Sequence, residues 1–560
     1  MSFLHTIATK RKQMKEAGDA KGLMNLPRVT VFEKASAPGG VWRNIQNDAD
    51  GKDSSNGSTN MYEGLWINGH KYGMEFFDYT FKDHFKTPQP VYLPRQHIHE
   101  YVLARVTQHE DIFKDVNFNT EVQSVTYDDQ TEHFVIQTKN DRGMKMTEHF
   151  DKCIWAAGLN GTPKMIPEIV EKLSSYKGQI VHSTEMNKLA SDETNAVKGK
   201  HILMIGDNYS AEDLALQCLK LGAEQISIAS RTGGGSACDM GSWPGDKVDI
   251  LYYSQVAGVK DDGLGTTILF DALREDYPVP DLEDVSIIIF CTGYKVNDHF
   301  LPKNLRPFPD DRENRTWCLE DIGLETATWR MKSNPLTEVV DHVEPSKALN
   351  MNYDHFRQKC YRNLLISNPN MMFIHENSEY PLLEIDVSAW SCLAYITGEN
   401  QVPTEKEMQQ AVLSDLLHGM DDYYMRYELD ENYAKACDAI HEDHWFNDTT
   451  CDEYKSHFVQ LYSFCIKVVA RDMKDAKYPM QFGDINQLNK VGTELVRMMS
   501  YDSFGHFDLW NCDDETKCWK TFRDTDPSPF RSLLTGMGST SLKGKWLEID
   551  DEGNPHSTSG

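Results

Sequence analysis

The sequence predicts an α/β fold built from two Rossmann-like dinucleotide-binding units, followed by a helical C-terminal extension. Three observations predict it. His201–Arg231 alternates strand, tight turn, helix and strand; Arg28–Glu33 is a second strand ending in a carboxylate after a helix; and from Thr404 onward the apolar spacing is helical.

The first unit carries the sharper signal. His201–Ile205 is a short apolar run suited to a buried parallel strand, and Gly206 ends it. Ser210–Gly222 then places Ala211, Leu214, Ala215, Cys218 and Leu219 on one helical face, and Gln225–Ser230 returns to strand character. A pyrophosphate fits where Gly206-Asp207-Asn208-Tyr209-Ser210-Ala211 meets the helix N-terminus, whose free N–H groups and dipole favour an anion. The glycine pattern has become G-x-N-x-x-A. Asn208 is expected to tolerate a left-handed backbone, and Ala211 to permit close helix–strand packing. The following strand ends in Ser230-Arg231 without a carboxylate, the arrangement suited to a 2′-phosphate, so NADPH is expected rather than NADH. An ordinary βαβ unit without a ligand is the bland alternative.

Composition sets the limits. The 560 residues allow two or three domains, and a hydrophobic content of 40% marks a folded chain. No apolar run approaches the ~20 residues of a membrane span. The net charge of −29 argues against nucleic-acid or anionic-membrane partners, because phosphate contacts need clustered Lys and Arg. The 12 cysteines lack C-x-x-C spacing, which suits reduced thiols in a cytoplasmic location. His97-x-His99 and His441-x-x-His444 have no companion ligands, so no metal is expected.

At the N-terminus, Phe3–Ala17 has Phe3, Leu4, Ile7 and Met14 at helical spacing, with Lys10, Arg11, Lys12 and Lys15 outward. The absence of acids before Glu16 is shared with mitochondrial presequences. Residues 18–33 favour a different reading: helix, loop, strand and Glu33 form the second half of a dinucleotide-binding unit, with Glu33 placed for ribose hydroxyls. The first half, a strand with its glycine turn, is expected just before this helix and is not in the sequence. A start placed too late, a shortened isoform and a non-catalytic paralogue all fit that gap. Ala37-Pro38-Gly39-Gly40-Val41-Trp42 then offers close backbone approach and an aromatic wall. Val122–Tyr127 and His133–Gln137 read as a hairpin around Asp128-Asp129-Gln130, and Gly161–Glu168 as a hinge. Thr404-x-x-Glu407 is a capping box opening Glu405–Leu417, Tyr454–Ala470 carries an apolar stripe, and Ser539–Gly560 reads as a frayed tail.

Several segments together resemble the flavin-containing monooxygenase family. They are E-x5-GG-x-W from Glu33; Met61-Tyr62-Glu63-Gly64-Leu65-Trp66-Ile67-Asn68-Gly69-His70-Lys71; Phe76–Phe81; Tyr176–Ser183; and the crossover strands CIWAAG from Cys153 and IFCTGY from Ile289. The likeness runs with gaps from about Phe3 to Gly536 and extends to the trimethylamine monooxygenase branch through G-x2-YSAED-x4-QC and Thr521–Asp524.

The resemblance implies FAD and NADPH as cofactors and an NADPH unit inserted within the FAD unit. The boundaries it implies are 1–164 and 285–400 for FAD, 165–284 for NADPH and 401–560 for the helical region. It implies oxygenation of a tertiary amine nitrogen or a sulfide sulfur by a flavin C4a-hydroperoxide formed with O2, and a homodimer through the C-terminal helices. In site terms, Glu33 holds the FAD ribose; Gly40, Val41 and Trp42 line the flavin's path; and Met61, Leu65, Asn68, Val122 and Glu376 contact the cofactor. Asn68 and Tyr209 are the catalytic candidates, Asn68 bonding near the reacting flavin carbon and Tyr209 holding NADP+ over the ring. Gly206, Tyr209, Ser210 and Ala211 meet the NADP pyrophosphate, while Arg231 and Thr232 take the 2′-phosphate. Glu379 stands where that branch carries a Trp for a methylated amine, which leaves a sulfide or another amine open as substrate. A flavin-free NADP-binding remnant and an oxidase releasing H2O2 are the competing readings.

Overall fold

The computed structural model describes residues 1–43, parts of 60–86, and 93–158, 161–190 and 196–233. It also describes most of 236–307, then 359–374, 381–420 and 474–478, and short strands at 316–317, 349–350, 545–549 and 555–559. Residues 201–290 contribute four strands to one parallel sheet, ordered Val248–Leu251, Gln225–Ala229, His201–Ile205, Val285–Phe290, with Gln179–His182 at the far edge. Ile202, Leu203 and Met204 are fully buried because the sheet is covered on both faces. One face carries the helix Tyr209–Lys220 through Ala211, Leu214, Ala215 and Cys218. The other carries Ile169, Leu173 and the meander Ser254–Asp261, Thr266–Ala272 and Leu282–Glu283. Each fully buried Ile or Leu here contributes about 1.5–3 kcal/mol.

Val285–Phe290, which the boundary at 284/285 assigns to the returning FAD unit, lies inside this sheet between His201–Ile205 and Gln179–His182. The chain leaves this sheet only afterwards. Tyr294–Lys295 pairs antiparallel with Thr162–Pro163, so outgoing and incoming linkers run side by side. His182 Nε2 lies 3.0 Å from the Gly293 carbonyl, and the Thr292 hydroxyl donates to the Lys164 carbonyl, tying that crossing together.

The remaining described residues form a second unit on either side of this insertion. Cys153–Trp155 pairs parallel with Asn368–Phe373, and Val125, Phe134, Trp155, Leu301, Leu305, Met371 and Phe373 share one apolar cluster. Residues before and after the nicotinamide unit therefore build a common core. The expected hairpin is present as Thr120–Asp128 against His133–Asn140, extended by Lys145–Phe150. The expected strand Arg28–Glu33 is reduced to Val31–Phe32, paired parallel with Val116–Asn117. Among the described residues, that pair and the sheet containing Cys153–Trp155 remain separate.

Helix Ser2–Glu16 forms as expected and packs against Pro381–Ile396. The unit is joined by a buried charged node. Arg105, 1% exposed, makes a two-pronged pair with Asp386 (3.0 and 2.7 Å), while its Nε reaches Asp78 at 2.8 Å. Tyr478 donates to Asp386 at 2.6 Å, His5 Nε2 lies 3.3 Å from Asp78, and the guanidinium covers the Phe76 ring at 4.0 Å. The capping box closes as the sequence implies: Thr404 N–H and hydroxyl reach Glu407 at 2.8 and 2.7 Å, opening Glu405–Met420. Tyr454–Ala470 lies outside the described residues. Within the expected frayed tail, Lys545–Ile549 pairs with Pro555–Ser559 as an antiparallel hairpin, so backbone pairing replaces fraying there.

Candidate functional site: two dinucleotide cradles joined by a strap

The turn expected to meet the nicotinamide nucleotide lies at the carboxyl ends of adjacent strands. Gly206 closes the central strand at φ +106°, and a Cβ on it would stand 2.5 Å from the Cys291 carbonyl oxygen. No other residue fits that close crossing of two strand ends. Asn208, however, has φ −93° and ψ −171°, an extended conformation rather than the left-handed one expected. Its purpose is capping: Oδ1 accepts the Tyr209 N–H at 2.9 Å, a bond glycine has no side chain to make. Ala211 is fully buried at the helix–sheet contact, as its smallness implies. Tyr209 begins the helix and is 57% exposed, so it is not spent on packing against the sheet. Ser210 is half-buried beside it, and Arg231 and Thr232 are exposed at the end of Gln225–Ala229.

The cradle also contains residues that motif reading missed. Ser230 Oγ–H donates to the Asp207 carboxylate and accepts the Gly233 N–H at 2.7 Å, while Ala237 N–H donates to the Asp207 carbonyl at 2.8 Å. Asp207 thereby ties the phosphate turn to the loop bearing Arg231. The signal was the aspartate inside the glycine turn, where an N–H-rich anion site has no need of one.

On the second unit, Glu33 is half-buried at the end of Val31–Phe32, its Oε1 accepting the Ala35 N–H at 2.8 Å. The Thr120 N–H donates to the Glu33 carbonyl at 2.9 Å, and Val122 packs in the same cluster as Phe32, so the hairpin runs beside Glu33. Gly39 sits at φ +126° with room only for hydrogen, since a Cβ would lie 2.4 Å from His99 Nε2. Gly40, at φ +54°, is exposed with open space around it, a surface a flat ligand can approach. Val41 and Trp42 are half-buried, and Trp42 packs on the cluster of Ile67, Phe76, Phe81 and Tyr101. Asn68 and Glu376 lie outside the described residues, as do Glu379 and Tyr380.

Met61 and Leu65 belong to a strap between the units. Arg95 Nη1 donates to the Met61 carbonyl at 3.1 Å, and Leu65 packs into the nicotinamide core. Gly40 thus leaves an open backbone surface, while Gly206 serves the close crossing of two strand ends. No described helix is long and apolar enough to cross a membrane.

A family profile described as flavin-binding monooxygenase-like matches residues 25–276. Trimethylamine monooxygenase from Roseovarius nubinhibens is 28% identical over 447 residues, 77% of this chain and 84% of that one. The trimethylamine monooxygenase of a Pelagibacter species is 31% identical over 283 residues, covering 50% of this chain and 57% of its own length. The crystal structure of Tmm from a Pelagibacter species superposes with a TM-score of 0.60 at 18% identity over 91% of each chain, a likeness of fold. With two Rossmann-like units, one set within the other, the chain is similar to flavin-binding monooxygenases over residues 25–276 and to trimethylamine monooxygenases.

Proposed function

We propose that the chain is an NADPH- and O2-dependent flavin monooxygenase acting on the nitrogen of a small tertiary amine such as trimethylamine, or on a sulfide sulfur. The observation that carries this reading is the pairing of cradles: a phosphate turn at Gly206 with Arg231 at the neighbouring strand end, linked by antiparallel strands to a unit bearing Glu33 and Gly39-Gly40. Glu33 and Gly40-Val41-Trp42 would hold FAD, which when bound would supply the redox chemistry that links NADPH oxidation to O2, one oxygen atom reaching substrate and the other water.

The chain's residues hold and shield. The N–H groups at the start of Tyr209–Lys220, fixed by the Asn208 cap, meet the NADPH pyrophosphate. Arg231 and Thr232 receive the 2′-phosphate, Glu33 accepts hydrogen bonds from the FAD ribose, and Gly40, Val41 and Trp42 with Met61, Leu65 and Val122 flank the flavin. Asn68 donates a side-chain bond at the reacting centre, Tyr209 covers the nicotinamide, and Glu376 completes the flavin side. The aromatic cluster of Phe76, Tyr79, Phe81 and Tyr101 behind Trp42 excludes water, which oxygen transfer requires. The carboxylate at Glu379, in place of an aromatic wall, favours a broader choice of amine or sulfide over trimethylamine alone.

The test is stoichiometry. Purified chain given FAD, NADPH and O2 with trimethylamine or dimethyl sulfide should form one N- or S-oxide per NADPH. Hydrogen peroxide equal to NADPH consumed would make it an oxidase, and failure to retain FAD would make it an NADP-binding remnant. The proposal includes a homodimer and a cytoplasmic location, tested by sedimentation and by fractionation.

A further inference from the structure

Asn60, Met61 and Tyr62 bond in turn to every part that meets at the hinge. Asn60 Nδ2 donates to the Gly161 carbonyl at 3.2 Å, and the Tyr294 hydroxyl donates to the Asn60 carbonyl at 3.2 Å, engaging both linkers. Met61 is held by Arg95, at the start of the helix Arg95–Val106. Tyr62 reaches across: its hydroxyl donates to Asp213 Oδ2, one turn into the dinucleotide helix, and its ring, 5% exposed, packs in the nicotinamide core. Gln217 Nε2 donates to the same oxygen at 3.4 Å. Neither Tyr62 nor Asp213 belongs to the glycine turn or the Arg231 loop, so binding the dinucleotide does not account for this buried bond.

We infer that Tyr62 and Asp213 are positioning residues, a latch that fixes the dinucleotide helix against the strap and so sets where the nicotinamide stands relative to the flavin. The inference rests on the functional reading above. The linker pair is only two residues on each strand, which leaves rotation of one unit against the other weakly opposed. Hydride transfer needs reacting atoms held at about 3–3.5 Å, so a small rotation costs rate even when affinity is unchanged.

The latch is also sensitive to protons. Burial pushes Asp213 up to about 6, against the bonds from Tyr62 and Gln217 that pull it down. Burial, then the Asp213 charge and hydrogen bond, hold Tyr62 far above its usual range. Cys291 and Tyr294 are the other titratable groups facing Tyr62 among the described residues, and burial raises both. The closed latch binds the Asp213 proton more tightly than an opened, solvated one. It is therefore tightest below pH ~4 and loosens as pH rises through about 6.

Hydrogen exchange on the full chain, corrected for intrinsic rates and followed with and without NADP+, tests the latch. Tyr62→Phe should speed exchange at the Thr162, Lys164, Tyr294 and Lys295 amides by about tenfold, the worth of one such bond. Exchange in His201–Ile205 and the affinity for NADP+ should stay at wild-type values. Flavin reduction at saturating NADPH should slow with KM unchanged, and Asp213→Asn should remove the pH dependence of linker exchange between pH 5 and 7. Unchanged linker exchange in Tyr62→Phe overturns the inference, as does equal acceleration in His201–Ile205, which would mean general loosening of the fold. Failure of the wild type to bind NADP+ would strike the functional reading instead, while the ligand-free exchange comparison still decides the latch.

Discussion

The two units are held together by different physics. The proposed nicotinamide unit is a five-stranded parallel sheet with apolar clusters on both faces; three of its strands follow one another in the chain, and Val285–Phe290 pairs across long separations with His201–Ile205 and Gln179–His182. The proposed flavin unit, among its described residues, is divided into separate sheets and tied by the buried Arg105–Asp386 pair, which the exposed Asp78 also meets. One is stabilised chiefly by area removed from water. The other depends on a node in which removing one partner leaves a buried charge without its counter-charge.

The largest effect expected from this difference is at the node. Arg105→Met leaves Asp386 and Asp78 without their buried counter-charge and should destabilise the flavin unit by about 3–5 kcal/mol in urea unfolding. Far smaller loss would show that apolar packing holds both units alike. Next comes Gly206→Ala, where the 2.5 Å approach to Cys291 and the positive φ should together cost about 2–3 kcal/mol. NADP+ binding, read by calorimetry, should fall with it while FAD retention does not. Arg231→Ala should weaken NADPH by about 1.5–3 kcal/mol, the worth of a charge-assisted bond, and leave NADH unchanged. The smallest is Thr404→Ala, which removes half of the capping box and should lower stability by about 1 kcal/mol.

Acid sharpens the contrast, because the units carry carboxylates shifted in opposite directions. Burial would raise Asp78, but the hydrogen bond from His5 and the charge of Arg105 outweigh it and hold it at about 2. Its contribution is present above pH ~4 and is lost as pH falls toward 2. Asp213, raised to about 6, does the reverse, costing stability as pH rises through that value. Acid titration followed by hydrogen exchange should open the flavin unit first, and Asp213→Asn should stabilise the nicotinamide unit only above pH 6.

Legibility in the sequence divides along the same line. The helix over Tyr209–Lys220, the hairpin from Thr120 and the cap at Thr404 are set by local periodicity and local hydrogen bonds, and each stands where those signals put it. Asn208 sits at the expected place for a different reason, since an N-cap and a left-handed turn favour the same residue type. Val285–Phe290 falls on the other side of the hinge from its expected unit because an apolar strand carries no mark of which sheet it will join; that is decided by its parallel partners His201–Ile205 and Gln179–His182. The Arg105–Asp386 pair spans 281 positions and the Tyr62–Asp213 bond 151, and no local pattern announces either.

We propose that two cradles hold two nucleotides close enough to exchange a hydride. Anaerobic addition of NADPH to the purified chain carrying FAD tests it most directly. The account predicts full bleaching of the flavin absorbance with NADPH, far slower bleaching with NADH, and return of colour on admitting O2. A chain that binds both nucleotides while its flavin stays oxidised would contradict it.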